Sequence, residues 1–270
     1  MPSLETSRAI ADLIARGALF VINHSGGKDS QAMTILLRQT IPSGQLVVVH
    51  AELPGSDWPG LRDHIEATVG GLPVYYCRAR KTFLEMVEDR FQKISASGKE
   101  ASPWPSPKYR QCTSDLKRGP LEKLTRQIAK ERGASLIVMC EGLRAEESAE
   151  RARKPILARH AALSRAGREV WRWLPVHALT EREIFATITS AGQQPHWAYA
   201  KGMRRLSCVF CIFATEDDVR RAARLQPDIL RNYVNMERRT GRSMLMPRDG
   251  RSAFLDDIVG LQTPATKEGV

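Results

Sequence analysis

Six residues, Ser25-Gly26-Gly27-Lys28-Asp29-Ser30, lie between an apolar run, Ala18-Leu19-Phe20-Val21-Ile22, and the sequence Ala32-Met33-Thr34-Ile35-Leu36-Leu37. The first run reads as a buried strand and the second as a helix. The chain must therefore change direction within a few residues, and the glycine pair supplies the backbone freedom to do so. Such a junction turns several N–H groups toward one point. The head of the helix adds partial positive charge there and Lys28 a full one, which makes a phosphate cradle. The spacing is not the G-x-x-x-x-G-K-[ST] of a Walker loop. Taken alone, the six residues also suit an ordinary turn in which Asp29 or Ser30 caps the helix.

The rest of the chain repeats the strand–helix rhythm. A helix over 6–16 leads into the first strand. Strands are expected at Gln45–His50, Pro73–Cys77 and Ser135–Cys140, with helices over Asp57–Val69, Phe83–Phe91 and from Pro120 onward. Strands alternating with helices imply parallel strands joined by right-handed crossovers, a doubly wound α/β sheet. Ligands bind such sheets outside the carboxyl ends of the strands, where Ser25–Ser30 and His50–Glu52 both fall. Residues 95–109, with three prolines and clustered serines, read as a long loop or flexible lid. The Arg-rich stretch 144–170 reads as a surface excursion and Trp171–Val176 as an edge strand, since it holds Pro175. Thr180-x-x-Glu183 opens a further helix as a capping box, which Gly192 ends. The expected organisation is one α/β domain over 1–214 and a small helical extension over 215–270 with an irregular end.

Lys and Arg number 41 against 30 Asp and Glu, a formal charge of +11. A basic surface attracts polyanions, nucleic acid and nucleotides among them, or serves solubility. No apolar run approaches the roughly 18–20 residues of a membrane span. The first residues lack a basic region followed by an apolar stretch, so no signal peptide is expected. Five cysteines do not make a secreted disulfide framework and fit a reducing cytoplasm. Cys208 and Cys211 form a C-x-x-C, which by itself suits a redox pair, half of a zinc site or core cysteines. Cys77 and Cys140 end strands and read as core. Arg144, after a strand and Gly142, is a candidate phosphate clamp, or else an arginine paired with Glu146 or Glu147. Lys117 and Arg118 have the same two readings. Asp29 suits Mg²⁺ or a helix cap, and His177 and His196 read as structural.

The loop Ser25–Ser30 resembles the PP-loop, S-G-G-x-D-S, of ATP pyrophosphatases and adenylyl-transfer enzymes. It occurs in order with Cys112-x-x-x-x-Lys117-Arg118-x-Pro120-Leu121, Gly142-Leu143-Arg144-Ala145-Glu146-Glu147-Ser148 and Tyr199-Ala200-x-Gly202-Met203-x-Arg205-x-x-Cys208-x-x-Cys211. Together these resemble the phosphoadenosine phosphosulfate (PAPS) reductase-like family over roughly residues 18–215, and within it the DNA-phosphorothioation and tRNA-thiolation branch. The resemblance implies a loop that holds the β- and γ-phosphates of Mg–ATP, with His50 and Glu52 toward adenine and ribose. It also implies an iron–sulfur cluster of the 4Fe–4S type on Cys112, Cys208 and Cys211, with zinc as the fallback. Two departures bear on the chemistry. Gln111 stands where cluster-bearing sulfonucleotide reductases have a second adjacent cysteine. No cysteine follows Cys211, where those reductases carry their nucleophile. The expected activity is therefore cleavage of ATP to AMP and pyrophosphate, activating an acceptor for sulfur, with a nucleic acid as acceptor and a cysteine desulfurase as sulfur donor. Sulfonucleotide reduction is the alternative enzyme, and a nucleotide- or nucleic-acid-binding module with a structural metal the alternative non-enzyme.

Overall fold

The computed structural model describes residues 4–247 and 252–260. In chain order the elements are α1 (Leu4–Ala15), β1 (Leu19–Asn23), α2 (Lys28–Thr40), β2 (Leu46–Glu52), α3 (Leu61–Thr68), β3 (Val74–Arg78), α4 (Phe83–Ala96), α5 (Gln111–Thr113), α6 (Gly119–Glu131), β4 (Leu136–Glu141), α7 (Ala149–Ala152), β5 (Leu157–Arg159), β6 (Glu169–Trp173), α8 (Glu181–Ser190), α9 (Trp197–Ala200), α10 (Glu216–Leu225), α11 (Pro227–Thr240) and α12 (Leu255–Val259). They form two compact units. The first runs to Glu52 and takes in Pro59–Arg78 and Lys117–Lys201; the second comprises Leu53–Trp58, Ala79–Leu116 and the chain from Gly202 onward.

The first unit is built on a six-stranded sheet in the order β3-β2-β1-β4-β6-β5. Every pairing is parallel except that of β5 with β6. The expected doubly wound α/β fold is thus present. Its order reverses between β1 and β4: successive connections leave β1 toward β2 on one side, and the chain returns to its other side as β4. Asn23 at the end of β1 stands opposite Val49 of β2 and Glu141 of β4, so the three carboxyl ends lie side by side.

Alternation along the central strands supplies the core. Leu19, Val21, Val47, Val49, Ile137 and Met139 form one cluster with Ile128 and Ala129 of α6. Phe20 and Ile22, of opposite parity, are fully buried, and α2 packs both on β1 and on α8. Full burial of one such side chain contributes about 2 kcal/mol relative to exposure. That is why strands β1, β2 and β4 read as continuous apolar runs.

Several boundaries differ from expectation. Helix α3 starts at Leu61, not Asp57, because Pro59 and the left-handed Gly60 (φ 73°) hold the preceding residues in turns. Helix α4 continues past Phe91 to Ala96 from a capping box between Thr82 and Glu85. The segment 144–170 is not wholly an excursion, since it contributes β5. Strand β6 is consequently internal and no edge strand; it stops at Trp173, so Pro175 takes no rung of the ladder. A π-helical turn, Ser114–Arg118, precedes α6, and Pro120 falls in that helix's first turn as expected.

In the second unit α10 packs on α11 and α12, and α11 on α4. Its centre is aromatic: Tyr233 stacks on Phe83 (ring centroids 5.6 Å apart) and meets Trp104 and Phe210. Trp104 is buried and donates from Nε1 to the Arg242 carbonyl (2.8 Å), and Arg90 donates to the Pro103 carbonyl (2.9 Å). These contacts pin the segment read from sequence as a flexible lid. The expected irregular end falls largely on 261–270, outside the described residues. No described helix is long and apolar enough to cross a membrane.

Candidate functional site

The loop Ser25–Ser30 leaves β1 at the point where the strand order reverses. Gly26 is left-handed (φ 78°), and Gly27 is the last residue before α2. The loop is held by its own side chains. Ser25 N–H donates to Ser30 Oγ (3.2 Å), Ser30 Oγ donates to the Gly27 carbonyl (2.9 Å), and Gly26 N–H donates to His24 Nδ1 (3.0 Å). His24 must then be neutral, with its proton on Nε2. Burial, reinforced by His50 and His64, presses its pKa down to about 3. His50 Nδ1 lies 2.7 Å from the His24 carbonyl and donates to it, so β2 braces the loop through β1.

The residues after β4 come to the same place. Gly142 has almost no clearance: a Cβ there would stand 3.1 Å from Ser30 N and 3.2 Å from the Asp29 carbonyl carbon. Only a glycine lets the strand end approach the head of α2 so closely. Two residues on, Arg144 is buried and donates from Nε to Asp29 Oδ1 (2.6 Å), with Glu146 accepting from its Nη1. Burial opposes the charge of Arg144, but Asp29 and the glutamates outweigh it and raise its pKa.

Lys28 completes the group from the helix side. Its Nζ is 3.3 Å from Asp29 and 3.2 Å from Glu181 of α8. It also lies 5.6 Å from the centre of the Tyr199 ring. Burial again opposes its charge, and Asp29, Tyr199 and Glu181 together raise its pKa. The full positive charge expected at the cradle is thus shared with two carboxylates, because an unpaired buried ammonium costs several kcal/mol. Lys28 N–H, at the head of α2, donates to Tyr199 Oη (3.1 Å).

The structure therefore brings together Ser25, Gly26, Gly27, Lys28, Asp29, Ser30, Gly142 and Arg144. His50 is buried in the brace of the loop. Glu52, at the end of β2, pairs with Arg62 (3.2 Å). Lys117 lies in the π-helical turn before α6. His24, Glu146, Glu181 and Tyr199 belong to the arrangement too. Among these, His24 adjoins the loop and Tyr199 stands in a motif already singled out, whereas Glu181 has no local sequence signal.

Cys112, Cys208 and Cys211 all belong to the second unit and are half-buried. Tyr233 sits beside the C-x-x-C: burial pushes its hydroxyl well above the ordinary range, and Cys208 and Cys211 add to the shift. Thiolates are suitable donors for an iron–sulfur cluster or zinc. Yet among the described residues no three His, Cys, Asp or Glu side chains gather closely enough to hold a metal ion. As they stand, the three thiols do not make a finished ligand set. Cys140 is buried and Cys77 half-buried, and burial pushes both thiols up.

Residues 20–214 match the phosphoadenosine phosphosulfate reductase domain. Over 150 residues the chain is 27% identical to the "Uncharacterized 37.8 kDa protein in gpa 5'region" of Escherichia phage 186, covering 53% of this chain and 44% of that protein. The chain thus spans less than half of that relative's length. Among solved structures, the phosphoadenylyl-sulfate (PAPS) reductase from Candida auris in a phosphate complex is 12% identical. That match has a TM-score of 0.45, over 77% of this chain and 96% of that one. Candida glabrata FMN adenylyltransferase with FMN and the ATP analogue AMPCPP is 14% identical, with a TM-score of 0.45, over 71% of this chain and 55% of that one.

Proposed function

Because the chain belongs to the phosphoadenosine phosphosulfate reductase domain family, we propose that it is a nucleotide-modifying enzyme that binds Mg–ATP at the Ser25–Ser30 loop and cleaves it to AMP and pyrophosphate. The observation that carries this reading is the convergence of the glycine loop, the head of α2 and the Gly142–Arg144 turn where the strand order reverses. That is where an open α/β sheet takes a phosphate-bearing ligand. Loop N–H groups, Lys28 and Arg144 would meet the β- and γ-phosphates. Asp29, released from the two cations as phosphate replaces it, is the carboxylate at hand for the Mg²⁺ that arrives with the triphosphate. An acceptor oxygen forms its bond to the α-phosphorus as the bond to the β-phosphate bridging oxygen breaks. Pyrophosphate leaves with the electron pair, and the acceptor's proton passes to water. The protein's contribution is positioning and charge stabilisation.

In this reading the activated acceptor is a nucleic acid in the cytoplasm, and sulfur comes from a cysteine desulfurase. Cys112, Cys208 and Cys211 are the proposed attachment of an iron–sulfur cluster, with zinc as the fallback. No step of the reaction is routed through it. Anaerobically purified protein should carry iron that each of Cys112→Ser, Cys208→Ser and Cys211→Ser removes, while Cys77→Ser and Cys140→Ser retain it. Stoichiometric zinc without iron would replace the cluster by a structural site.

The reaction is tested with labelled ATP. AMP and pyrophosphate should appear in equal amounts, and Lys28→Ala should lower both ATP affinity and turnover at least tenfold. Sulfite from PAPS in the presence of thioredoxin, with no AMP formed from ATP, would overturn the assignment and restore sulfonucleotide reduction.

A further inference from the structure

The second unit holds a cleft of about 350 Å³ that the reaction above does not use. One wall is a single face of α4, Met86, Asp89, Arg90 and Lys93, at helical spacing. The turn after β3 brings Arg80 and Lys81, and the start of α5 brings Gln111. Met86 and Leu116 give it an apolar floor. Four cationic side chains thus line it against two acidic ones, Asp89 and Asp115. Asp89 pairs with Lys81, and Asp115 accepts from Ser114 Oγ (2.6 Å). Arg90 is engaged by neutral acceptors, the Pro103 carbonyl and the Gln111 side chain, which leave its charge uncompensated. The lining is therefore net positive and suits an anion.

Aromatic side chains stand beside this charge. The Gln111 amide donates to the Tyr109 carbonyl (2.6 Å), which ties the cleft to the turn Ser106–Tyr109. That turn displays Tyr109, 61% exposed, with Lys108 Nζ 5.4 Å from its ring centre. The Arg110 guanidinium lies 5.0 Å from the ring centre of Phe213, which is 40% exposed. Large exposed rings interleaved with Lys and Arg are the arrangement that stacks unpaired bases while the cations follow the backbone. A duplex hides its base faces and could use only the cations.

We infer that the basic cleft between α4 and α5, together with Tyr109 and Phe213, is a binding site for single-stranded nucleic acid. The backbone phosphates meet Arg80, Arg90 and Lys93, and bases stack on the exposed rings. This deepens the acceptor half of the reaction proposed above and rests on that reading only for what becomes of the bound strand.

The test is fluorescence anisotropy of the full chain with a labelled single-stranded 12-mer oligonucleotide and with a duplex of the same length. The single strand should bind the more tightly. Arg80→Glu with Lys93→Glu should weaken it at least tenfold and reduce its salt dependence by about one unit of slope. Tyr109→Ala should weaken the single strand severalfold and leave the duplex unchanged. Melting temperatures of these surface variants verify that they are folded. Gly27→Val, which obstructs the phosphate loop, should leave oligonucleotide binding intact, so a failed ATP reaction and a failed binding site are told apart. Equal affinity for duplex and single strand, or wild-type affinity in the double charge reversal, would overturn the inference.

Discussion

Glu237 is fully buried and accepts the N–H groups of Met244 (2.6 Å) and Leu255 (2.7 Å), tying two later segments to α11. Burial raises its pKa to about 7 from an ordinary 4.5, against the opposing pull of those two hydrogen bonds. The folded protein thus holds this proton more tightly than the unfolded chain. The stabilisation is full below about pH 4.5 and is lost as the pH rises toward 7. Glu237→Gln, the isostere of the protonated acid, should remove this component. The pH dependence of its melting temperature between pH 4.5 and 7.5 should be flatter than the wild type's by several degrees. Parallel curves would show that Glu237 titrates normally. Residues of this kind were not legible in the sequence. Loop residues Ser25–Ser30 announce themselves by local spacing, as does Arg144 after Gly142. The partner of Lys28 N–H, Tyr199, lies 171 residues away, and no spacing rule joins the two.

At the scale of elements, the site depends on how closely β4 approaches the head of α2. The atoms that a Cβ at Gly142 would meet are backbone atoms of Asp29 and Ser30, which cannot rotate aside. Gly142→Ala should therefore shift the loop by a few tenths of an ångström and lower ATP affinity severalfold by calorimetry, with the sheet still formed. Unchanged affinity would mean that the loop adapts freely. The buried strands and the strand–helix alternation were legible because β1, β2 and β4 are apolar on both faces. Strand β5 was not: it has three residues, Leu157–Arg159, within an Arg-rich stretch, too short to show an alternation. Missing it also misplaced β6 at the edge. The helix boundaries at Leu61 and Ala96 were set by a left-handed glycine and by a buried tryptophan downstream, neither of which a periodic pattern reports.

Across the whole molecule, four of the six histidines, His24, His50, His64 and His196, are grouped in the first unit. His64 and His196 meet edge to face, with ring centroids 5.2 Å apart, and His50 braces His24. Burial depresses the pKa of His24 to about 3, that of His196 to about 4, and that of His64 below its ordinary value. Their contribution is present above about pH 6.5 and is lost as the pH falls toward 3–4, opposite in sign to that of Glu237. Melting followed by circular dichroism should drop steeply below pH 6. His196→Asn, which keeps a good cap for α9, should make that drop shallower. An unaltered acid limb would assign the loss to carboxylates instead. The second unit, drawn from three separated stretches of chain, has no counterpart in sequence periodicity, which reports neighbours along an element and not between distant segments. Strand β5 has a bearing on how copies of the protein behave in solution. By pairing antiparallel with β6 it covers hydrogen-bonding groups flanked by Trp171 and Trp173, and it presents in their place a three-residue border ending in Arg159. A border so short and so charged is a poor template for another chain's strand, so this small hairpin guards the sheet against edge-to-edge aggregation.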